Sequence, residues 1–172
     1  MEFWDAYDET VTKTGQILTR GQIIPDGLFH LVVECIIQST NGSILFMKRD
    51  SDKPTYPNYY EASAGGSVLK GENSLEAIRR EVSEETGLDL DFFDFIGQKI
   101  ESKQFSIYHN YHAIYQGELD VITLQAGETT AYKWVPLEEL DIFCEKNLII
   151  PKQKELLERF INTGKWTLEK TK

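Results

Sequence analysis

The sequence predicts an α+β fold in which helices sandwich a mixed β-sheet. Short apolar, β-branched runs typical of strands alternate along the chain with stretches of helical periodicity. No repeat, low-complexity segment or linker divides the 172 residues, a length that suits one domain with a substantial buried core. We therefore expect a single domain over residues 1–172.

The strands are predicted from runs bounded by turn residues. The run from His30 to Ile37 is apolar and β-branched, as is typical of a central strand. Asn41-Gly42 is a strong hairpin signal, Lys13-Thr14-Gly15 predicts a turn between the first two runs, and residues 50–60 form a polar loop. The predicted strands are residues 3–7, 16–24, 30–37, 44–48, 61–64, 95–103, 106–116 and 132–135.

Two helices are predicted near the C-terminus. Pro136 opens a short helix through about Phe143, and Pro151 is well placed as the first residue of a helix through about Asn162. The apolar side of this last helix is expected to comprise Leu156, Leu157, Phe160 and Ile161.

The helix with the strongest boundary signals is predicted over residues 74–86. Asn73 is its expected N-cap, with Glu76 three residues later to complete a capping box. Gly87 suits the left-handed position after the helix, with Leu88 as the following apolar contact. The stripe expected to pack on the core comprises Leu75, Ile78 and Val82.

Three glutamates share one face of this helix. Glu81, Glu84 and Glu85 are spaced i, i+3 and i+4, so they lie in one stripe about 100° wide. Hard divalent cations prefer carboxylate oxygens, and Mg²⁺ commonly takes one or two from the protein and others from substrate phosphates. A Glu-x-x-Glu-Glu stripe alone is usually a solvated helix face. The assignment of a metal site therefore depends on the longer pattern around it.

The longer pattern combines a glycine turn with glutamates at fixed spacing. It comprises Gly66, Glu72, Arg80-Glu81-Val82, Glu84-Glu85 and Gly87-Leu88. Seven fixed residue types would coincide by chance in roughly one window in 10⁸. The pattern resembles the signature of the Nudix hydrolases with every specified position filled. This resemblance covers roughly residues 28–162, with residues 1–27 as an N-terminal extension, and implies the family's α/β/α sandwich.

The resemblance also implies where metal binds. Glu81, Glu84 and Glu85 match the metal-binding glutamates of the family, and Gly66 matches the turn glycine whose backbone often lies at the metal. The implied cofactor is Mg²⁺, with Mn²⁺ as a substitute. An acidic protein with a net charge of −10 that acts on phosphates needs such cations to bring substrate in.

Catalytic roles follow from the same resemblance. Arg80 matches the arginine that orients a motif carboxylate through a charge-assisted hydrogen bond. The general base of the family often lies in a loop before a later strand, and Glu128 resembles that residue. A solvated loop acid at Glu128 is the competing interpretation, with Glu84 or Glu85 as the base instead.

Substrate contacts are predicted outside the motif. Arg49 follows a strand at the place where the family commonly has a basic residue near the substrate, although it also suits a surface charge. Tyr60 and Trp134 are candidates to stack a base, against the alternative that they belong to the core. His109 and His112 lie three apart on a predicted strand, hence on opposite faces, and are poor joint ligands.

Composition limits the partners and the compartment. The net charge of −10 argues against a nucleic-acid polymer. Cys35 and Cys144 are far apart without metal-ligand spacing, which favours free thiols and a reducing compartment. We expect no membrane segment, a cytoplasmic protein, a small-molecule nucleotide or diphosphate substrate, and a possible homodimer through the aromatic N-terminus at Phe3, Trp4 and Tyr7.

The expected function is metal-dependent cleavage of the pyrophosphate linkage in a nucleoside diphosphate linked to another group. A non-catalytic nucleotide-binding or regulatory module is the first alternative, although no motif glutamate is missing. The N-terminal extension also resembles the branch of the family that contains isopentenyl-diphosphate isomerases. Those isomerases use a cysteine shortly before the helix and histidine metal ligands, and Ser63-Ala64-Gly65-Gly66 contains neither.

Overall fold

Residues 1–162 are described by the computed structural model, and residues 163–172 of the predicted domain lie outside the described residues. A seven-stranded mixed sheet forms the centre, and a separate two-stranded hairpin precedes it. The strands are β1 (Phe3–Tyr7), β2 (Lys13–Thr19), β3 (His30–Ser39), β4 (Ile44–Arg49), β5 (Tyr60–Glu61), β6 (Ala64–Ser67), β7 (Asp94–Glu101), β8 (Ser106–Tyr115) and β9 (Thr129–Val135). The helices are α1 (Ser74–Thr86), α2 (Leu140–Lys146) and α3 (Pro151–Asn162).

Strand β3 is the centre of the large sheet, as its composition predicts. It pairs in parallel with β8 over its whole length, and antiparallel with β4 and β6 on its other side. Strand β7 pairs with β8, while β5 and β9 pair with β4. Because β3 is covered on both faces, its residues from Val33 to Ile37 are buried without alternation.

Two apolar clusters cover the two faces of the sheet. On one face, Ala77, Ile78 and Val82 of α1 pack against β3 and β4. On the other face, residues of α2 and α3 pack against β3, β4 and β9. The predicted α/β/α sandwich is therefore confirmed. Residues 1–162 contain no helix long and apolar enough to cross a membrane.

The boundaries predicted for α1 and α3 are confirmed. The Asn73 side chain accepts hydrogen bonds from the backbone N–H groups of Leu75 and Glu76, and Glu76 completes the capping box. Gly87 ends α1 with φ of 73°, in the left-handed region. Two residues of the predicted apolar stripes are instead exposed, since Leu75 is 42% and Ile161 is 40% accessible.

The second strand differs most from its prediction. It covers Lys13–Thr19 and not residues 16–24, so the turn lies at residues 8–12 and not at Lys13-Thr14-Gly15. The reason is the Asp8 carboxylate, which accepts hydrogen bonds from the backbone N–H groups of Thr10 and Thr12 and closes the turn early.

The strand predicted over residues 61–64 is divided into β5 and β6. Ser63 lies between them and takes over part of the sheet ladder. Its Oγ accepts a hydrogen bond from the backbone N–H of Ile37 at 2.9 Å and donates to the carbonyl of Leu45 at 2.7 Å. The serine side chain thus bridges β3 and β4 where the chain itself leaves the ladder.

Most of the aromatic residues at the N-terminus and the two cysteines are buried or half-buried in the fold. Trp4 and Tyr7 are buried within the chain and only Phe3 of the aromatic set is exposed, so two of the three are not free to contact a partner subunit. The possible homodimer stays a prediction. Cys35 is buried, Cys144 is half-buried, and both are free thiols.

The N-cap of α1 gives a test of this local structure. We expect Asn73→Ala to lower the free energy of unfolding by about 1 kcal/mol, because two N-terminal backbone donors lose their acceptor. Asn73→Ser is the control, since serine retains a capping oxygen, and it should stay close to the parent protein in urea unfolding. Equal midpoints for the alanine and serine variants would contradict the assigned cap.

Candidate metal and catalytic site

The Arg80 guanidinium organises the acidic face of α1. Its Nε and Nη2 donate to the two carboxylate oxygens of Glu72 at 2.8 and 3.0 Å. Its Nη1 donates to Glu81 at 2.8 Å and to Glu84 at 3.3 Å. The resemblance implied that Arg80 orients one carboxylate, and the structure shows it binding three. The hydrogen bonds that Arg80 donates to Glu72 and Glu81 raise the pKa of its guanidinium.

Glu85 lines the same cavity as Glu81 and Glu84 but is held by β6. It is only 8% accessible, and its Oε2 accepts a hydrogen bond from the backbone N–H of Gly65 at 3.0 Å. Burial, with the neighbouring carboxylates of Glu61 and Glu81, raises the pKa of the Glu85 carboxyl well above its usual value. Burial also raises the pKa values of Glu61 and Glu81. These three carboxylates therefore share a poorly solvated region, and the positive charges of Arg49 and Arg80 do not fully offset the effect of burial on their pKa values.

Two glycines let β6 lie close to its neighbours, Gly66 to the α1 side chain of Glu81 and Gly65 to the backbone of β3. A Cβ at Gly66 would lie 2.3 Å from Oε1 of Glu81, and one at Gly65 would lie 2.5 Å from the carbonyl oxygen of Val33. Gly66 thus leaves the space that the Glu81 carboxylate fills. The predicted association of Gly66 with the glutamates has this steric basis.

One cavity of about 420 Å³ brings most of the predicted residues together. The predicted residues that line it are Gly66, Arg80, Glu81, Glu84, Glu85 and Glu128, together with Arg49. The glutamates come from α1, whereas Glu128 comes from the loop before β9, more than 40 residues later in the chain. Folding therefore brings the loop acid to the same cavity as the helix acids.

Glu128 has a cationic partner that the sequence did not reveal. The Lys53 ammonium forms an ion pair with its carboxylate, and Lys53 is only 15% accessible. The two loops are also joined by the backbone, since the N–H of Asp50 donates to the carbonyl of Glu128 at 2.8 Å. Glu128 is therefore held in place and is not a freely solvated loop acid.

Arg49 lies at the edge of this cavity in a fixed position. Its Nη1 donates to both carboxylate oxygens of Glu61 at 3.2 Å, and its Nε donates to the carbonyl of Thr55 at 3.2 Å. Arg49 also lines a second cavity of about 600 Å³ that shares Gly65, Gly66 and Ser67 with the first. The two cavities are thus neighbours along β6.

Tyr60 and Trp134 are not brought to either of these cavities. The Tyr60 ring packs edge-on against Phe143, with ring centroids 5.1 Å apart. Trp134 stacks on Tyr115 at 5.8 Å, and its Nε1 donates to the carbonyl of Leu119 at 2.9 Å. Both aromatics serve in packing, which was the alternative interpretation of their place in strands.

The predicted strand geometry separates the histidines. His109 contacts Phe95 on one face of β8, whereas His112 contacts Phe160 on the other and hydrogen-bonds Gln38 at 3.2 Å. Burial lowers the pKa values of both rings. Neither lines the cavity of the motif glutamates, so they are not joint ligands there.

The second cavity contains residues that the sequence interpretation missed. Glu34 is 6% accessible and forms an ion pair with Lys152 at 2.7 Å. The Lys152 ammonium also lies over the ring of Tyr108, 4.2 Å from its centroid. A charged residue within the apolar run of β3 is the signal that marks Glu34. No comparable local signal marks Lys152, which reaches the cavity only through the packing of α3.

The donor set fits a hard divalent cation in chemistry, although it is not assembled as a ligand cluster. Within residues 1–162, no three His, Cys, Asp or Glu side chains are arranged to hold a metal ion. Arg80 binds Glu81 and Glu84, while the Gly65 N–H binds Glu85. The side-chain atoms that could bind a metal ion here are carboxylate oxygens. A bound cation would relieve the electrostatic repulsion among Glu61, Glu81 and Glu85.

The chain thus combines an α/β/α sandwich with a helix whose acids are organised by one arginine beside a glycine-containing strand. A model of the NUDIX domain matches residues 28–160, and the chain belongs to the Nudix family. It is an enzyme of the Nudix hydrolase class, which acts on pyrophosphate linkages and generally uses divalent metal ions.

Sequence relatives agree with this membership. An uncharacterized Nudix hydrolase of Listeria monocytogenes is 36% identical over 152 residues, which are 88% of this chain and 89% of the relative. Nudix hydrolase 3 of Arabidopsis thaliana is 29% identical over 158 residues, which are 84% of this chain but only 20% of the relative.

Solved structures show the same fold. A crystal structure of a Deinococcus radiodurans protein has a TM-score of 0.76 at 21% identity, and the match covers 92% of this chain and 98% of that one. The NUDIX domain of NrtR from Shewanella oneidensis, crystallised with ADP ribose, has a TM-score of 0.63 at 14% identity, and the match covers 85% and 93%.

The two glycines of β6 give a matched pair of variants. In Gly66→Ala the new Cβ meets the end of a flexible side chain, so we expect the fold to persist while Glu81 is displaced and turnover falls at least tenfold. In Gly65→Ala the Cβ meets the backbone of β3, which cannot move aside as a side chain can. We therefore expect the main effect of this variant to be a lower melting temperature. Thermal unfolding and hydrolysis assays measure both effects. Full activity in Gly66→Ala would contradict the assigned contact.

Proposed function

We propose that the protein hydrolyses the pyrophosphate linkage of a nucleoside diphosphate joined to another moiety, in a Mg²⁺-dependent reaction. Water adds across the P–O–P bridge and gives a nucleoside monophosphate and a second phosphate product. The observation that carries this proposal is one cavity in which the motif acids of α1 face Glu128 of a distant loop. Mn²⁺ is the expected substitute ion.

The motif residues would hold the metal. Glu81, Glu84 and Glu85 provide carboxylate oxygens beside the backbone of Gly66. A bound divalent ion lowers the pKa of a coordinated water and offsets the charge that develops on phosphate oxygens. Arg80 keeps Glu81 and Glu84 near each other despite their repulsion, and the three acids would turn from Arg80 and the Gly65 N–H towards a cation when one binds.

Glu128 is the proposed general base. It lines the same cavity as the motif acids, and its ion pair with Lys53 positions the carboxylate and balances its charge. A base in this place would accept a proton from water that attacks a phosphorus atom bound over α1. Glu84 and Glu85 are the alternatives within the motif, and of these Glu84 is the exposed one, with 49% accessibility.

The second cavity is the proposed site for the rest of the substrate. It adjoins the first along Gly65, Gly66 and Ser67, and Arg49 lies at the junction, within reach of both spaces. Its ion pair of Glu34 and Lys152 offers both acceptors and donors to a polar nucleoside or sugar. The ADP ribose complex of the similarly folded NrtR domain supports a ligand of this class.

Neutral substitutions test the metal site. We expect Glu84→Gln and Glu85→Gln each to reduce turnover on the order of 10²-fold or more while the fold persists, because the amide keeps the shape but not the charge. Glu76→Gln is the control, since Glu76 lies on α1, is exposed and does not line the cavity.

The assay is a Mg²⁺ and Mn²⁺ hydrolysis screen over nucleoside di- and triphosphates, nucleotide sugars, dinucleotides and ADP-ribose. Chelation by EDTA should abolish turnover, and ¹⁸O-labelled water should place the label on a phosphate product. Parent-like rates in both glutamine variants would show that these acids do not form the metal site.

The base is tested separately. We expect Glu128→Gln to lower kcat on the order of 10²-fold with a small change in KM, because a proton acceptor is lost while substrate contacts remain. Glu118→Gln is the control, as it removes an exposed acid from the loop that also contains Glu128. A Glu128→Gln enzyme with full kcat would return the base assignment to Glu84 or Glu85.

A further inference from the structure

The N-terminal hairpin contributes to the cavity although it lies outside residues 28–160, the part that matches the NUDIX domain. Glu2 and Arg20, which flank the two strands of the hairpin, line the cavity beside the motif acids. The hairpin is fastened to the segment before α1, since the N–H of Lys70 donates to the carbonyl of Phe3 at 2.8 Å. Its position beside the cavity is therefore part of the fold.

Arg20 differs from the other cations of the cavity in how it is held. Within residues 1–162, four cationic side chains line this cavity: Arg20, Arg49, Lys53 and Arg80. Arg49 and Lys53 are each 15% accessible and Arg80 is 24% accessible, whereas Arg20 is 65% accessible. Arg20 has one ion pair, to Oε2 of Glu2 at 2.8 Å.

These differences decide which cation is free to bind an incoming anion. Arg80 would have to leave Glu72 and the motif acids, and Arg49 would have to leave Glu61. An exposed pair such as Arg20 with Glu2 contributes little to stability and exchanges easily. A guanidinium also matches phosphate oxygens with two parallel donors, which favours it over a lysine ammonium for this contact.

We propose that Arg20 binds the substrate diphosphate, its guanidinium exchanging the Glu2 carboxylate for a non-bridging phosphate oxygen. The assignment rests on the proposed function and adds a substrate-binding residue from outside the family domain. The hydrogen bond to Glu2 raises the pKa of Arg20, and the carboxylates of Glu128 and Glu81 contribute further to that rise. Arg20 is therefore already in the electrostatic field of the cavity.

The test compares the two partners of the same ion pair. If the pair only fastens the hairpin, Arg20→Gln and Glu2→Gln have the same effect. If Arg20 binds phosphate, Arg20→Gln loses the contact, whereas Glu2→Gln frees the guanidinium and removes a negative charge. Lys13→Gln is the matched control, because Lys13 forms a similarly exposed pair with Asp5 at 2.7 Å in the same hairpin but does not line the cavity.

Two readouts are used with the full chain. Calorimetric titration with imidodiphosphate in Mg²⁺ measures Kd without turnover, and the substrate found in the hydrolysis screen gives KM and kcat. We expect Arg20→Gln to raise Kd and KM about tenfold, Arg20→Lys to recover part of the loss, and Lys13→Gln to match the parent. Thermal unfolding should give the Arg20→Gln and Lys13→Gln proteins similar melting temperatures.

The outcome depends on the ratio of Kd between Arg20→Gln and Glu2→Gln. A ratio above three supports phosphate binding by Arg20, and a ratio of three or less overturns it, as does a parent protein that binds no imidodiphosphate. A parent protein that turns over no member of the screen contradicts the proposed function instead. Turnover with a Kd ratio of three or less leaves the proposed function intact and removes Arg20 alone.

Discussion

The hydrogen-bonded network of Arg80 is the interaction on which the site depends. One guanidinium joins Glu72 before α1, Glu81 and Glu84 on the helix, and the carbonyl of Ser67 at the end of β6. The strand, the turn and the helix are thereby fixed relative to each other. The network also explains why the motif includes Glu72, which does not line the cavity but takes two of the Arg80 hydrogen bonds. Without this cation, the acids of α1 would repel each other across a poorly solvated space.

The close approach of β6 to α1 is the second constraint. Gly66 leaves room for the Glu81 carboxylate where a side chain would otherwise lie, and the backbone N–H of Gly65 donates a hydrogen bond to Glu85. Burying carboxylates costs free energy, and the raised pKa of Glu85 reflects that cost. The capped helix and the apolar cluster beneath it supply the stability that offsets this cost. The acidic site is thus built on a rigid part of the fold.

The cavity is lined both by residues of the family motif and by residues from outside it. The helix and β6 belong to the family motif, whereas Lys53, Glu128 and Arg20 come from two loops and the N-terminal hairpin. The neighbouring cavity, with its ion pair of Glu34 and Lys152, is the part of the molecule that we propose receives the rest of the substrate. This division follows from the general arrangement of function on loops around a fixed scaffold.

The sequence by itself determined the features that depend on neighbours along the chain. The bounds of α1 and α3 and the shared face of Glu81, Glu84 and Glu85 follow from caps and helical periodicity, which act over a few residues. Only the tertiary structure decided that Tyr60 and Trp134 are packing residues and that Lys53 pairs with Glu128. It also corrected β2, because the Asp8 carboxylate accepts a hydrogen bond from the Thr12 N–H and so moves the turn. These outcomes depend on which strands and loops meet across the sheet, and pairing of distant segments leaves no periodic pattern in the sequence.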